Sequence, residues 1–456
     1  MLDPMAALRR AVAGATLVGL AAAAPAPAAA QGKFLDVGKQ APITILINAS
    51  PWYAGFEKAV DLYVKQTGNE VNLDVTPYGG MLEKARNAVR GSTSPYDILN
   101  LDSGWTIEFY EAGFLKPLGE IDASIKLPEE VLECGNTFWW NADKRYRTPA
   151  GGKLMGVPPN CNIHIVAYRA DLFKQAGIEA PKTYDDVLAA CKKVQNPPGL
   201  YGFVTRGERG NGIRYDFSTF MLGHGVDVVA DASGGDYTVT MNSPKVLAAL
   251  NQFITLMKTC APTNAGSLGQ ADVIQLMSSG KAAMVQTVIA AWGNYEDKTK
   301  SAVAGKVAAA PVPQAVPGQK AGVAIGNWNF TVPKNTPADR QKAAVAFMKW
   351  FLTGEAQRAY AEAGGIPVRV DTLKSDLAQK PQFSWMPAYL ASIEIGQPTL
   401  GFAESAEVEQ VMGLRLNQAL IGELAPAKAL NLAADEIAAI FTRTGRKTGK
   451  LPPLPE

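Results

Sequence analysis

Histidine and net charge are both scarce in this sequence of 456 residues. The only two histidines, His164 and His224, are too few for a histidine-rich catalytic metal site. Lysine and arginine number 44 against 42 acidic residues, a formal net charge of +2 at pH 7. Nucleic-acid-binding proteins usually carry a strongly basic domain or surface, so no nucleic-acid partner is predicted.

Motifs of common enzyme classes are also missing. The chain contains no G-x-S-x-G, H-E-x-x-H, P-loop or G-x-G-x-x-G pattern. Ser278 and Lys281 fit S-x-x-K and residues 447–449 fit K-T-G, but the Ser-Asp-Asn motif of penicillin-recognising enzymes is absent between them. We therefore predict no enzyme and no cofactor. A secreted hydrolase, whose two carboxylates would be paired only in space, is the alternative from another class.

Long apolar runs are confined to the N-terminal region. Two arginines precede residues 11–24, an uncharged run shorter than the ~20 residues of a membrane-spanning helix. Small residues at 28–30 follow, so residues 1–30 are predicted to be a signal peptide cleaved after Ala30. No cysteine precedes Cys134, so we expect no lipid anchor and a periplasmic mature protein.

The four cysteines contain no C-x-x-C pair, which argues against a zinc or redox motif. In an oxidising compartment four cysteines allow three pairings. Cys191 with Cys260 is favoured because both lie at the ends of predicted helices in one segment. Some cysteines could instead be buried thiols, which pack as small hydrophobic side chains.

Apolar periodicity beyond residue 40 alternates between strand and helix spacing. Strands are predicted at 43–47, 71–75 and 96–101, with helices at 55–66, 81–90 and 105–112 between and after them. This order predicts an α/β fold with a mainly parallel sheet flanked by helices. Residues 443–456 are basic, then proline-rich, and are predicted to be a tail.

Several segments follow one another in the order found in a known family. They are residues 56–68, 71–75, 95–105, 110–118, 152–158, 165–173, 181–186, 277–284 and 342–367. Together they resemble the extracellular solute-binding proteins of family 1, the maltodextrin- and sugar-binding group of ABC importers. The resemblance covers nearly all of the chain after the predicted signal peptide.

The resemblance implies a type II-like periplasmic-binding-protein fold, in which two α/β lobes close around a ligand at the hinge. Each lobe would contain a mainly parallel sheet. The implied bounds are 41–160 plus 308–366 for the first lobe and 161–307 plus 367–442 for the second, with crossings near Asn160, Ala308 and Ile366.

Sugars and polyols offer C–H faces to aromatic rings and hydroxyl groups to fixed donors and acceptors. In loops after the first-lobe strands, the candidates are Trp52, Tyr53, Tyr78, Asp102 and Trp105. Asp102 also begins a predicted helix, so capping that helix is an equal alternative. Trp105 is equally compatible with a place in the core.

A glycine-rich loop in the second lobe, residues 205–215, supplies Arg206, Arg209, Arg214 and Tyr215. Arginine binds hydroxyl groups, carboxylates or phosphates, and the alternative is a solvated loop with surface ion pairs. The remaining candidates are Asn160, Trp292, Asn327, Trp328 and Arg369.

The predicted function is a periplasmic, monomeric binding protein that closes on a carbohydrate or polyol and delivers it to the permease of an ABC importer. The alternative within binding proteins is a receptor for an anionic ligand such as a sugar phosphate, held by the arginine loop.

Overall fold

Strands and helices alternate along residues 34–456, the part of the chain that the computed structural model describes. The predicted signal peptide, residues 1–30 with cleavage after Ala30, lies outside these residues. The strands are β1 (Ile43–Asn48), β2 (Val71–Thr76), β3 (Ile98–Asp102), β4 (Trp139–Trp140), β5 (Lys153–Leu154), β6 (Gly156–Asn160), β7 (His164–Arg169), β8 (Val229–Asp231), β9 (Asp236–Val239), β10 (Met284–Val288), β11 (Val307–Ala310), β12 (Ala324–Ile325), β13 (Trp328–Thr331), β14 (Gln397–Pro398) and β15 (Thr448–Lys450). The helices are α1 (Tyr53–Thr67), α2 (Tyr78–Arg90), α3 (Thr106–Glu111), α4 (Ala170–Ala176), α5 (Tyr184–Val194), α6 (Asn211–Gly223), α7 (Pro244–Cys260), α8 (Gln270–Ser278), α9 (Trp292–Glu296), α10 (Ala338–Phe351), α11 (Gly354–Glu362), α12 (Val370–Leu373), α13 (Met386–Ile393), α14 (Ser405–Ile421) and α15 (Pro426–Arg443).

A five-stranded sheet in the order β2-β1-β3-β13-β6 is the framework of the first lobe. Strand β1 is parallel to β2 and β3, whereas β13 is antiparallel to β3 and β6. The β-branched residues Ile43, Ile45 and Ile47 are buried in β1, as expected for a central strand covered on both faces. The register places Trp328, at the start of β13, opposite Asp102, at the end of β3. These two residues therefore share one edge of the sheet.

A sheet in the order β10-β7-β11 is the framework of the second lobe. Its strand directions differ from the expectation of a mainly parallel sheet, because β7 is antiparallel to both neighbours. Parallel pairing with β10 comes from an isolated bridge between Val204 and Val285, and Tyr201 bridges Ala282 just before this strand. Helices α6, α7, α14 and α15 pack against one another in this lobe. Two sheets flanked by helices confirm the predicted α/β architecture.

The first two crossings between the lobes lie at the ends of β6 and β11. At the first, Asn160 ends β6 in the first sheet and His164 begins β7 in the second. The second was predicted near Ala308, but this residue lies in β11 and pairs with β7. The chain therefore returns to the first lobe between Ala310 and Trp328.

The third crossing also lies later in the chain than predicted. Beyond Ile366, the Val368 carbonyl accepts a hydrogen bond from the Leu132 amide at 2.8 Å. The Val370 amide donates to the Glu130 carbonyl at 2.8 Å, so this segment still belongs to the first lobe. Helix α13 is the first later helix that packs against β7 of the second lobe.

Residues 443–456 are part of the fold, and the prediction of a tail is wrong. Strand β15 pairs in parallel with β9, and Leu454 is buried. The Arg446 guanidinium lies 2.8 Å from Glu404 and 3.2 Å from Glu111, which ends α3 of the first lobe. These long-range contacts, which residue composition does not reveal, fix the segment against both lobes.

Two disulfides connect the four cysteines. Cys191 of α5 is bonded to Cys260 at the end of α7, which confirms the favoured pairing. Cys134 is bonded to Cys161, which immediately follows β6. The second disulfide therefore attaches a first-lobe loop to the first crossing.

Candidate ligand-binding site

A cavity of about 870 Å³ lies between the ends of β1, β3 and β13 on one side and α6 and α14 on the other. Its volume falls within the range of about 300–1,000 Å³ that is typical of small-molecule sites. Eight of the predicted binding residues line it: Tyr78, Asp102, Trp105, Arg206, Arg209, Arg214, Tyr215 and Trp328. The cavity has the position between the lobes that the resemblance implies.

Six predicted binding residues do not line this cavity: Trp52, Tyr53, Asn160, Trp292, Asn327 and Arg369. Trp52 is fully buried in the first-lobe core. The Tyr53 hydroxyl donates to Glu57 one helical turn away, at 3.0 Å. Trp292 is buried, and its Nε1–H donates to the Gln382 carbonyl at 3.2 Å. Helix packing therefore uses all three aromatic side chains.

The three polar residues of this group also have internal partners. Asn160 is fully buried, and its Oδ1 accepts a backbone N–H two residues later at the crossing. Asn327 is fully buried and donates to the Thr137 hydroxyl at 2.8 Å. The Arg369 guanidinium pairs with Asp371 at 2.6 Å. Each of these side chains therefore bonds to neighbouring backbone or side-chain groups and does not line the cavity.

Tyr78, Trp105 and Trp328 form an aromatic trio on the first-lobe wall. The Tyr78 and Trp105 ring centres are 4.9 Å apart and tilted by 39°. Trp328 meets both rings nearly edge-on, with centre separations of 6.0 Å and 5.9 Å. Such tilted and edge-to-face arrangements are favourable aromatic contacts. The trio forms because α2, the β3–α3 turn and β13 converge at one sheet edge.

Asp102 lies beside the trio at the end of β3. Its Oδ1 accepts the Gly104 N–H at 2.8 Å, whereas Trp105 occupies the N-cap position of α3 without a side-chain cap. The alternative that Asp102 caps this helix is therefore wrong. Burial raises the pKa of Asp102 to about 6, and the negative charge of Glu409 adds to the increase. Within the described residues Asp102 forms no ion pair.

Arg206 is held by a buried carboxylate beneath the arginine loop. Its guanidinium Nε lies 3.0 Å from Asp216 Oδ1, and its backbone N–H donates to Oδ2 at 2.9 Å. His164 Nε2 lies 2.8 Å from Oδ1, and the Thr205 hydroxyl donates to Oδ2. Burial alone would raise the pKa of Asp216, but the charge of Arg206 and the hydrogen bond from His164 outweigh it and lower that pKa. Arg206 thus neutralises the protein's own carboxylate.

Arg214 is also paired with a carboxylate, and its partner Glu409 lines the cavity as well. Its Nη2 contacts Glu409 of α14, and its Nη1 donates to the Thr399 hydroxyl at 3.3 Å. Tyr78 of the first lobe donates to Glu409 Oε1 at 3.3 Å, and Asn211 donates to Oε2 at 2.9 Å. Glu409 therefore joins groups from both walls of the cleft.

Several polar residues of the lining are not among the binding residues predicted from the sequence. Asn48 ends β1, and Asn162 follows β6 at the first crossing. A polar residue at or just after the end of an apolar strand is a sequence signal that could have indicated both as binding residues. Asn211 and Glu409 contact Tyr78, whose ring belongs to the trio. Glu409 lies on a buried face of α14, and a charged residue among apolar helix positions is the only sequence signal for it.

Tyr215 lines the cavity with its ring between two guanidinium groups, at 5.4 Å from Arg206 and 5.5 Å from Arg214. Its hydroxyl donates to the Ala324 carbonyl at 2.9 Å. Arg209 is exposed at the cavity and forms no ion pair within residues 34–456. Of the three arginines in the loop, only Arg209 has no carboxylate partner among the described residues.

A metal-ligand cluster and a membrane-spanning helix are both absent from the part of the chain that the structure describes. No group of three or more histidine, cysteine, aspartate or glutamate side chains within residues 34–456 is placed to hold a metal ion. In the same residues, every helix is too short or too polar to cross a bilayer.

The family model of the bacterial extracellular solute-binding proteins matches residues 48–358, well over half of the chain. The chain belongs to this family. The match confirms the predicted resemblance and the prediction of a binding protein instead of an enzyme. The matched region runs from the end of β1 through most of α11 and so covers the first two crossings.

Individual relatives are distant but cover most of the chain. A probable ABC transporter-binding protein of Deinococcus radiodurans is 24% identical over 85% of this chain and 90% of its own. The mannitol-binding protein of Pseudomonas aeruginosa is 24% identical over 75% of this chain and 80% of its own. The crystal structure of an ABC transporter solute-binding protein from Agrobacterium radiobacter K84 in complex with ribitol has a TM-score of 0.78. It is 24% identical, covers 90% of this chain and 100% of its own, and confirms the two-lobed fold.

Proposed function

We propose that this protein is the periplasmic binding component of an ABC importer and that its ligand is a neutral polyol or small sugar. The observation that carries the proposal is the aromatic trio beside Asp102 in a cavity between two lobes. Closing the lobes on a bound ligand would stabilise the closed state, as in other hinged binding proteins.

Polyols and sugars match both the aromatic rings and the polar side chains of this cavity. Their C–H faces pack on aromatic rings, and their hydroxyl groups need donors and acceptors in fixed positions. Asp102 supplies a charged acceptor, and Asn48 and Asn162 supply amide groups in the same lining. The relatives named for mannitol binding and solved with ribitol support a polyol.

The charges of the cavity argue against an anionic ligand. Arg206 is neutralised by Asp216 and Arg214 by Glu409, so two of the three loop arginines already have carboxylate partners. Arg209 is left as a cation, but it is exposed to solvent. An exposed charge is screened and contributes little to affinity.

Delivery to a permease, export and the monomeric state belong to the same proposal. The apolar run and small residues before residue 31 support export by a signal peptide cleaved after Ala30. The Deinococcus and Agrobacterium relatives are named for ABC transporters, which supports a permease as the partner.

The test uses the protein recovered from the periplasm of cells that express the full chain. Thermal unfolding is measured with polyols, monosaccharides, oligosaccharides, sugar acids and sugar phosphates, and hits are titrated by calorimetry. A ligand at a hundred times its dissociation constant should stabilise the protein by about 2.7 kcal/mol. N-terminal sequencing of the same sample should begin at Gln31.

Stabilisation by a neutral polyol or sugar, without its chemical conversion, would support the proposal. Stabilisation only by acids or phosphates would replace it with the anion receptor. A protein that stays in the cytoplasm would contradict the export step independently of the ligand.

A further inference from the structure

The ion pair between Arg214 and Glu409 is unusual because it is buried and still lines the cavity. The two residues are 4% and 5% exposed. The Arg214 Nε–H has no hydrogen-bond partner, so part of the guanidinium is unsatisfied within the described residues. A buried pair contributes little to stability compared with apolar side chains of similar size, and its presence in the cleft calls for another reason.

Both oxygens of Glu409 are occupied by groups from both lobes. Oε1 accepts from the Tyr78 hydroxyl at 3.3 Å, and Oε2 accepts from Asn211 at 2.9 Å and from Arg214. The carboxylate therefore has a fixed position between the aromatic trio and the arginine loop. Asp102 lines the same cavity, and the negative charge of Glu409 contributes to the raised pKa of Asp102.

We propose that Glu409 is a specificity-determining residue, which neutralises Arg214 and so makes the cleft reject anionic relatives of its ligand. This inference rests on the proposed function, since it concerns which members of one ligand class are bound. A phosphate or carboxylate would have to displace Glu409 from Arg214 or lie beside two carboxylates. Placing like charges together at a desolvated site is strongly unfavourable.

A neutral polyol meets no such barrier. Its hydroxyl groups can donate to the Asp102 carboxylate, which lines the same cavity. The Arg214–Glu409 pair therefore disfavours an anion but leaves Asp102 available to ligand hydroxyl groups.

The test compares the wild type with Glu409→Gln. Glutamine retains the length of the side chain and one acceptor oxygen, for either Tyr78 or Asn211, but it leaves the charge of Arg214 uncompensated. Affinities are measured by calorimetry for mannitol, ribitol and erythritol, each beside its monophosphate. We expect Glu409→Gln to lower the preference for the neutral polyol by about tenfold or more, with phosphate binding that weakens as salt is added.

Glu407→Gln is the matched control. Glu407 lies on the same helix, is exposed and pairs with Arg443 on the surface. The Glu407→Gln variant loses the same charge as Glu409→Gln, but at a site outside the cavity. Its preference for the neutral polyol over the phosphate should therefore equal that of the wild type. The double variant Glu409→Gln/Arg214→Met should lose the gained phosphate binding, because the cation is removed as well.

Arg214→Met keeps the inference testable if Glu409→Gln does not fold. It leaves Glu409 without its cation, so the protein should gain preference for the cationic polyol glucamine over sorbitol. An unchanged preference in the folded variants, with the neutral polyol still bound by the wild type, would overturn the inference and leave the proposed function standing. A wild type that binds no neutral polyol or sugar would overturn the proposed function itself.

Discussion

The two walls of the cleft use their prominent side chains differently. On the first-lobe wall, the rings of Tyr78, Trp105 and Trp328 contact one another at the cavity, and Asp102 forms no ion pair among the described residues. On the second-lobe wall, the buried arginines are paired with the protein's own carboxylates. An arginine in a cleft loop is therefore weak evidence for an anionic ligand until its partners are known.

The largest effect is expected from the variant that tests whether the buried charges of the second lobe stabilise the fold. Asp216→Asn removes the carboxylate that holds Arg206, His164 and Thr205. A buried arginine without its partner is costly, so the free energy of unfolding should fall by about 3–5 kcal/mol. Urea unfolding followed by circular dichroism measures this change.

Asp143→Asn is the control for that experiment, since Asp143 is exposed on the first lobe. Its effect should stay within about 0.5 kcal/mol, as for most surface substitutions. If Asp216→Asn is equally mild, Arg206 is not committed to Asp216, and its availability to an anion must be reconsidered.

A second prediction separates tryptophans of the cleft from tryptophans of the core. Trp328→Leu should weaken polyol binding by about 1–2 kcal/mol, or about 5- to 30-fold, because it removes one ring of the trio. Trp292→Leu removes a ring that packs away from the cavity, so it should lower the thermal stability and leave the affinity unchanged. Calorimetric titration of both variants, at a temperature where both are folded, distinguishes them. Equal losses of affinity would show that stacking in the cleft is not specific to the trio.

Sequence patterns predicted the parts of the structure that depend on local order. The alternation of strands and helices identified the first sheet, and the strand ends placed Tyr78, Asp102 and Trp105 at one edge. The rule that parallel strands end together at the ligand-binding edge explains this success. Trp52 has the same position in the chain relative to β1, but it packs against Phe56 in the core. Packing determines whether a side chain that follows a strand faces the core or the cavity, and the order of elements along the chain does not specify this.

Contacts between distant segments could not be predicted in this way. Glu409 meets Tyr78 across a separation of 331 residues. The predicted lobe boundary divides strand β11 after Val307, because the pairing of this strand with β7 depends on a partner about 140 residues earlier. Both features follow from tertiary packing. The partner of an apolar or charged residue in a distant segment cannot be predicted from the type of that residue.

The smallest expected effect concerns the pH dependence of the first-lobe wall. The pKa of Asp102 is raised to about 6 by burial and by Glu409, while Arg214 and Arg147 lower it. A carboxylate accepts hydroxyl hydrogen bonds more strongly when it is ionised. Polyol affinity should therefore fall as the pH falls through 6, and at pH 5 it should be up to about tenfold weaker than at pH 7. Titration calorimetry across this range measures the change.

The stability of the ligand-free protein should respond in the opposite direction, which allows the two effects to be separated. Because the folded pKa of Asp102 lies above its usual value of 3.8, the folded protein binds this proton more tightly than the unfolded chain does. That contribution to stability is present below about pH 4 and is lost as the pH rises through about 6. Asp102→Asn should abolish both dependences. If the variant retains the loss of affinity at low pH, another carboxylate controls binding, and the first-lobe wall contributes through its aromatic rings alone.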